Sequence, residues 1–301
     1  MAPIRSYDEV TDVGETESPD PVGTAGPSRR GSYANVVLLA TGLVYLTVLL
    51  GVSTRATGSG LACNANWPLC DGGILNLFPA TVPSAFEWIH RVIAMFAGFA
   101  ILGSAALAYR DDAPRRIMGA FALGTLLLPL QVLLGRETVV SFVPEVLAAH
   151  YWTAMAIYAL FVAAAVWAHA DVFSIRHVRG SLLGAVGLLP VVVVLGPPVV
   201  VRYSFWVQAT QYAILLPAFA ALLVAALVGR NVAPDRPAFR ALLWSGATLV
   251  PVVVYLMRQR LVHPDSLFAV LHPVATVLLF VVVGVAAVLA YRTDPATSDG
   301  G

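Results

Sequence analysis

The sequence predicts an all-α integral membrane protein whose eight transmembrane helices form two similar four-helix bundles. Of its 301 residues, 58% are hydrophobic and only 12% are charged, a composition too apolar for an ordinary soluble domain. Several apolar runs approach or exceed the roughly 18–20 residues that cross a hydrocarbon core of about 30 Å. The net charge of +1 gives no indication of a nucleic-acid partner. We therefore expect the chain to be embedded in a lipid bilayer and to bind no nucleic acid.

The apolar segments are separated by short polar connectors. The first 33 residues are acidic and rich in Pro, Gly, Ser and Thr, which is typical of a disordered tail and not of a signal peptide. The fifth segment has the least regular pattern, because Gly196, Pro197 and Pro198 interrupt its outer end. The expected helices cover residues 34–52, 84–109, 117–134, 146–169, 181–201, 205–229, 241–257 and 267–291.

The arginines indicate which helix ends face the cytoplasm. Eleven lie on the side that also holds both termini, and five lie on the opposite side. Because cytoplasmic loops carry an excess of basic residues, this bias predicts a multi-pass protein of the plasma membrane with both termini in the cytoplasm. The eleven are Arg29, Arg30, Arg110, Arg115, Arg116, Arg176, Arg179, Arg230, Arg236, Arg240 and Arg292, and the five are Arg55, Arg136, Arg202, Arg258 and Arg260.

The two halves of the chain resemble each other in the placement of polar residues. The stretch 146–150 is similar to 268–272, since each opens a helix from the outer side and ends in a histidine. Residues 87–90 and 208–211 also carry polar side chains at comparable depth in the second and sixth helices. Two four-helix copies would have the same orientation in the membrane. The expected divisions are a cytoplasmic tail (1–33), an N-terminal half (34–170), a C-terminal half (181–291) and a second cytoplasmic tail (292–301).

Three histidines are predicted to lie within the membrane, each near the outer end of its helix. They are His90, His150 and His272, and we expect all three about 6–9 Å below those ends at about 1.5 Å per residue. Ionisable residues in a membrane helix are costly and usually functional. The simplest alternative is a set of hydrogen bonds between helices. Two imidazoles that project inward from alternate helices of a bundle are also what a haem iron takes as axial ligands.

Glu87 and Arg91 flank His90 on the second helix. Glu87 precedes His90 by three residues, so both side chains share one face of the helix. A carboxyl group inside a membrane tends to be protonated unless it is paired, which would suit a proton donor or acceptor. Arg91 has two possible partners, Glu87 or a haem propionate. Arg55 is a further candidate for a propionate, although an interfacial position alone would explain it.

The long outer connector, residues 53–83, contains both cysteines. Cys63 and Cys70 are separated by six residues, and a disulfide can form and persist on the outer face of the membrane. A structural disulfide and a redox-active pair are both open at this point. In the third helix, Gln131 is a candidate for hydrogen bonding inside the membrane.

Several motifs in the first half resemble those of haem A synthases. The stretch 51–63, followed by 67–70, is similar to the first outer loop of that family, and 87–91 is similar to its second-helix motif. The segment 131–139 resembles the end of the third helix, and His150 occupies the place of the fourth-helix ligand. The resemblance covers helices 1–4 densely and helices 5–8 thinly.

The resemblance implies a fold of two similar four-helix bundles and an enzyme that converts haem O to haem A. A ring methyl would be oxidised to a formyl group in successive steps, for use in haem-copper oxidases. It also implies that His90 and His150 hold the substrate haem, that Glu87 does acid–base or electrostatic work, and that Cys63 and Cys70 form the loop disulfide. The C-terminal half would hold haem b between two histidines. The implied partners are the haem O synthase that supplies the substrate, an electron donor that the sequence does not name, and the oxidase assembly.

The C-terminal half departs from this family pattern. His272 is present in the eighth helix, but Gln208 and Gln211 occupy the region of the sixth helix where its partner histidine is expected. An amide is a poor ligand for haem iron, which proteins bind through His, Cys, Met or Tyr. Three alternatives are open: a five-coordinate haem, recruitment of His263 as the second ligand, or no haem in this half.

Three other functions compete with a haem A synthase. A membrane b-type cytochrome that only relays electrons would explain the three histidines, but not Glu87 or the first outer loop. A thiol–disulfide oxidoreductase generally needs a closely spaced Cys-x-x-Cys pair, which the spacing of Cys63 and Cys70 does not provide. A transporter built on an internal repeat would need a polar pathway to the cytoplasmic side, and no such series of residues is evident.

Overall fold

A computed structural model describes residues 31–63, 66–67, 70, 79–140, 143–196 and 204–292. In these ranges the chain forms eight helices, each long and apolar enough to cross a membrane, so the predicted all-α membrane fold is confirmed. The division into two similar bundles stays a prediction, as do its boundaries. The helices are α1 Tyr33–Ala56, α2 Val82–Arg110, α3 Arg115–Val140, α4 Pro144–Ala168, α5 Ile175–Val194, α6 Phe205–Val232, α7 Pro237–Val262 and α8 Phe268–Tyr291.

Helix α5 differs from its predicted range of 181–201. It begins at Ile175, six residues earlier, and ends at Val194. The early start follows from a capping box, in which the Nδ1 atom of His177 lies 3.1 Å from the backbone nitrogen of Ser174. This cap carries the helix through the polar residues that had marked the connector. Residues 197–203, which include the predicted end of this helix at 201 and Arg202, lie outside the described part of the chain.

Each helix packs mainly against other helices of the same half of the chain. In the first half, α1 and α3 each contact both α2 and α4. In the second half, α5 and α7 each contact both α6 and α8. The two sets of helices meet where α6 contacts α1 and α4. The inner faces of α2 and α4 therefore point toward one interior, and those of α6 and α8 toward another.

Tyrosines of the first half donate hydrogen bonds to backbone carbonyls of the second. Pro217 has no N–H group, which leaves the Ala213 carbonyl without its partner within α6. The Tyr45 hydroxyl donates to that carbonyl over 3.2 Å. The Tyr151 hydroxyl likewise donates to the Pro251 carbonyl over 2.9 Å. Because lipid cannot satisfy backbone groups, the Tyr45 bond supplies the partner that the Ala213 carbonyl lacks within α6. Both bonds fix the contact between the two sets of helices.

At the end of the molecule predicted to face the cytoplasm, the start of α1 is bonded to the end of α2. The Ser32 backbone nitrogen donates to Asp111 Oδ2 over 2.7 Å, and the Ser32 hydroxyl donates to the same oxygen over 2.6 Å. Arg110 contacts the other carboxylate oxygen over 3.0 Å. These contacts lower the pKa of Asp111 below its ordinary value. The hydrogen bond from the Ser32 side chain is the largest cause.

Candidate functional site

His90 and His150 face the shared interior of α1–α4. His90 is the ninth residue of α2 and His150 the seventh of α4, so they lie about 12 Å and 9 Å from the starts of those helices at about 1.5 Å per residue. His90 is thus further from its helix start than predicted, because α2 begins earlier, at a Thr81–Ser84 capping box. The two imidazoles are near enough to interact electrostatically. The structure therefore brings together the two histidines that the sequence singled out in this half.

Each of these imidazoles lies against a glycine of a neighbouring helix. A Cβ atom placed on Gly51 of α1 would lie 2.9 Å from Cε1 of His90. A Cβ atom on Gly135 of α3 would lie 3.2 Å from Cε1 of His150. Both distances are shorter than ordinary van der Waals contact between carbon atoms. The absence of a side chain at these two glycines thus creates the space that the rings occupy.

The ring nitrogens of this pair are only partly satisfied. The Nδ1 atoms of His90 and His150 are buried, and neither has a hydrogen-bond partner within the described residues. The Nε2 atom of His150 lies 3.4 Å from Nε2 of Gln131, so the hydrogen-bonding role predicted for Gln131 has a specific partner. Buried polar atoms without partners are uncommon and costly. Two such imidazoles on facing helices fit an iron-bound macrocycle as axial ligands.

Glu87 forms an ion pair with Arg91 within one helical turn of His90. Arg91 Nε donates to Glu87 Oε1 over 2.9 Å, and both side chains are largely buried. Arg91 also donates through Nη1 to the Asn66 carbonyl over 2.7 Å. Of the two partners predicted for Arg91, Glu87 is the one that it contacts in the structure. The pair supplies a compensated carboxylate one helical turn from His90, which avoids the cost of an isolated buried charge.

The outer loop is held against the start of α2 by its cysteines. Cys63 and Cys70 form a disulfide with a Cα–Cα distance of 4.6 Å, and both are fully buried. Their sulfur atoms lie 4.0 Å and 3.7 Å from the Ser84 carbonyl oxygen. Upstream, Gly58 adopts a left-handed conformation with φ of 72°, which turns the chain back over the helices. The described loop residues Cys63, Asn66 and Cys70 thus lie beside the outer part of α2 that carries the Glu87–Arg91 pair.

Arg55 lies close to an arginine of the second half. It is in the last turn of α1 and is near enough to Arg258 of α7 for their charges to repel. Arg258 also lies over the ring of Tyr151, with its guanidinium carbon 6.0 Å from the ring centroid. Tyr151 directly follows His150. Two cations brought together beside the histidine pair would be stabilised by an anionic group such as a carboxylate.

In the second half, His272 lies beside a cavity of about 40 Å³ whose lining includes Gln211 and Met257. The Nδ1 atom of His272 is 3.4 Å from Nη1 of Arg260. Gln208 is only partly buried, and His263 is exposed at the end of α7. The structure therefore does not place His263 in the cavity beside His272.

Gln211 is buried and donates hydrogen bonds to residues of α5 and α7. It is 1% exposed, and its amide nitrogen donates to the Val192 carbonyl over 2.8 Å and to the Met257 sulfur over 3.3 Å. Met257 was not singled out from the sequence. One signal was available, since the spacing of 122 residues that relates His150 to His272 also relates Gly135 to Met257. The donor set of this half does not fit a haem held by two histidines.

Comparison with known proteins assigns the chain to a family. A family model described as cytochrome oxidase assembly protein matches residues 75–299. The chain belongs to the cytochrome oxidase assembly protein family. The resemblance to haem A synthases predicted from the sequence is confirmed at this level. The match covers all seven helices from α2 to α8, including the ones whose motifs are thin.

Curated relatives of two names are similar to parts of the chain. A protein named Heme A synthase from Bacillus licheniformis is 36% identical over 105 residues, which are 34% of each chain. A protein named Protoheme IX farnesyltransferase from Halobacterium salinarum is 36% identical over 116 residues, 38% of this chain and 25% of that protein. Another of that name, from Haloarcula marismortui, is 33% identical over 132 residues, 44% and 28% of the two chains. The matched part spans only about a quarter to a third of these relatives.

Proposed function

We propose that this protein is a haem A synthase, which oxidises a ring methyl of haem O to a formyl group for haem-copper terminal oxidases. The observation that carries the proposal is the His90–His150 pair, two imidazoles from α2 and α4 with buried nitrogens that lack partners in the described residues. Family membership and the relatives named Heme A synthase support it. The helices of residues 34–170 are proposed as the catalytic half.

His90 and His150 would hold the iron of the substrate haem and thereby fix the macrocycle between α2 and α4. The glycines beside them, Gly51 and Gly135, allow the rings to sit at the helix surface without a competing side chain. Conversion of a methyl to a formyl group adds one oxygen atom and removes two hydrogens. We propose two successive hydroxylations, each of which uses one dioxygen and two electrons from a separate electron-transfer protein, so that the second oxygen atom leaves as water. The hydrate that results then loses water to give the formyl group.

Glu87 is proposed to accept or donate a proton near the reacting methyl. Its carboxylate is one turn from His90 and is held by Arg91 over 2.9 Å. The same ion pair fixes the side-chain position, and Arg91 in turn is bonded to the outer loop. A positioned acid or base typically contributes about 10²–10⁴-fold to rate. Arg55 and Arg258 would bind the haem propionates from the outer side.

The remaining proposals concern location and partners. We propose that the chain lies in the plasma membrane with both termini in the cytoplasm, from the bias of its arginines. A haem O synthase is the proposed supplier of the substrate, supported by the relatives named Protoheme IX farnesyltransferase. Such a supplier would release haem O into the same membrane, which limits its escape to water.

The test is to purify the protein from cells supplied with haem O, extract the bound haems and separate them by chromatography. Haem A or its hydroxymethyl precursor beside haem O is the expected result. Haem b alone, unchanged by added haem O, would instead establish an electron-relaying b-type cytochrome and reject the synthase. His150→Ala is expected to abolish conversion. His169→Ala, at the opposite end of the same helix, is the matched control and is expected to convert haem O normally.

A further inference from the structure

We infer that the chain binds a single haem, in the helices of the first half, and that Gln211 and Met257 exclude a second one from the helices of the second half. The inference uses the proposed function only for the site at His90 and His150. The inference itself concerns α5–α8, where the family resemblance implies haem b between two histidines. The contacts of Gln211, Met257 and His272 argue against that occupant.

Gln211 holds the place in α6 that His90 holds in α2. A spacing of 121 residues relates both Glu87 to Gln208 and His90 to Gln211. The packing agrees with this correspondence, since a Cβ atom on Gly196 would lie 3.0 Å from Nε2 of Gln211. Gly51 stands in the same relation to His90. The residue that should provide the second ligand is therefore an amide, which haem iron does not take from proteins.

Met257 holds the place in α7 that Gly135 holds in α3, by the spacing of 122 residues. In the first half the glycine leaves room beside a histidine ring. In the second half a long thioether side chain, only 5% exposed, lines the corresponding interior. Met257 is thus both a filler of space and a hydrogen-bond acceptor for Gln211.

The Gln211 amide is satisfied by groups within the second half. The Gln211 amide joins α5 to α7 through the Val192 carbonyl and the Met257 sulfur. The cavity that remains is about 40 Å³, which is room for no more than a few water molecules at roughly 10–15 Å³ each. A haem between α6 and α8 would have to break both hydrogen bonds of Gln211 and leave its amide buried without a partner, which is unfavourable.

Methionine does bind haem iron in some proteins, so Met257 itself must be considered as a ligand. It lies on α7, which packs directly against α8, the helix of His272. A second haem would need its two ligands on helices that lie across the interior from each other, as His90 and His150 lie on α2 and α4. A thioether on the adjacent helix, already bonded to Gln211, does not provide that opposed approach.

The first experiment measures haem per polypeptide in the full-length protein, purified from cells supplied with haem O. Total haem is determined by absorbance after extraction, and protein by amino-acid analysis. One haem per chain is expected, and His272→Ala should leave both this ratio and the absorption spectrum unchanged. His90→Ala should remove most of the haem. Two haems in the unaltered protein, or loss of half of the haem in His272→Ala, would overturn the inference.

The second experiment tests whether Gln211 and Met257 are the cause. The double variant Gln211→His/Met257→Gly should gain a second haem with a low-spin, six-coordinate spectrum. The matched control is Gln208→His/Met257→Gly, which places the histidine about one turn away on the same helix and should gain none. If the first double variant retains its original haem, and therefore is folded, but takes up no second one, these two residues are not what excludes it.

The two proposals can fail separately. Conversion of haem O to haem A tests the synthase and does not depend on haem content in the second half. A protein that converts haem O but carries two haems would retain the proposed function and lose this inference. A protein that carries one haem but does not convert haem O would retain this inference and lose the proposed function.

Discussion

In the first half of the molecule, His90 lies against Gly51 with a buried nitrogen that no described residue satisfies. In the second half, Gln211 lies in the same way against Gly196, but its amide donates to two acceptors. Both halves pack a glycine against a polar side chain, but only in the second half is that side chain shown to donate hydrogen bonds to its neighbours. The difference teaches that similar packing of a glycine against a polar side chain need not produce a similar site. Chemistry is expected where polar groups are left to a ligand, and stability where they bind one another.

The largest expected effect on haem binding comes from closing the space beside His90. Gly51→Ala places a Cβ atom 2.9 Å from the ring, so the imidazole must move away from its position between α1 and α2. We expect haem affinity and conversion to fall by about 10–100-fold, as for changes that misplace a metal ligand. Haem titration of the purified variant measures the first and chromatography of extracted haems the second.

The control for Gly51→Ala lies on the same helix. Gly42→Ala adds the same methyl group where nothing lies within 4 Å, so haem binding should be unchanged. Equal losses in both variants would mean that α1 tolerates no side chain at either glycine for reasons of folding. The comparison between the halves would then lose its geometric basis.

A change at Glu87 sharpens the comparison from the chemical side. Glu87→Gln keeps a hydrogen-bonding group beside Arg91 but removes the charge and the basic oxygen. We expect conversion to fall by about 10²–10⁴-fold while haem remains bound, since neither His90 nor His150 is altered. Rates of haem A formation and the haem content of the same preparation are measured together.

Glu137→Gln is the matched control for Glu87→Gln. Glu137 also contacts an arginine, Arg136, but both side chains are 40% exposed or more, so conversion should be unaffected. Full activity in Glu87→Gln would remove this carboxylate from the mechanism and leave the Glu87–Arg91 pair a structural one.

The sequence was sufficient for the elements whose signals are local. Apolar runs located all eight helices, and the spacing of Glu87 and Arg91 on one helix indicated their ion pair. The early start of α5 was missed because its polar first turn looks like a connector until the Ser174–His177 cap is recognised.

Contacts between distant parts of the chain were the ones that could not be predicted. Met257 carries no motif, and its role depends on the neighbouring Gln211. The approach of Arg258 to Arg55 depends on how the two halves of the chain pack against each other. Hydrophobic periodicity determines which residues are buried, but it does not determine which residues of distant helices face each other.

The loop disulfide provides a comparison of intermediate size, because only the first half has such a loop among the described residues. Cys63→Ser/Cys70→Ser removes a cross-link whose sulfurs pack against Ser84. We expect a loss of about 2 kcal/mol in the free energy of unfolding, with conversion retained to within about tenfold once haem is bound. Thermal unfolding of the haem-loaded protein and its conversion rate are the measurements. Complete loss of conversion in a stable variant would instead indicate that the cysteine pair takes part in the redox reaction.

The smallest expected effect concerns the helix ends predicted to face the cytoplasm. In the first half α1 is tied to α2 by Asp111, whereas in the second half α5 is capped locally by its own His177. The pKa of Asp111 is lowered in the folded protein, so its contribution to stability is full above the ordinary value of 3.8. That contribution is lost as the pH falls from there through the lowered pKa. Asp111→Asn should therefore lower the unfolding temperature slightly at pH 7, and by progressively less as the pH falls below 3.8. Asp112→Asn, at the next residue, should have no pH-dependent effect through Ser32, and an identical pH profile for the two variants would show that Asp111 does not tie the helices together.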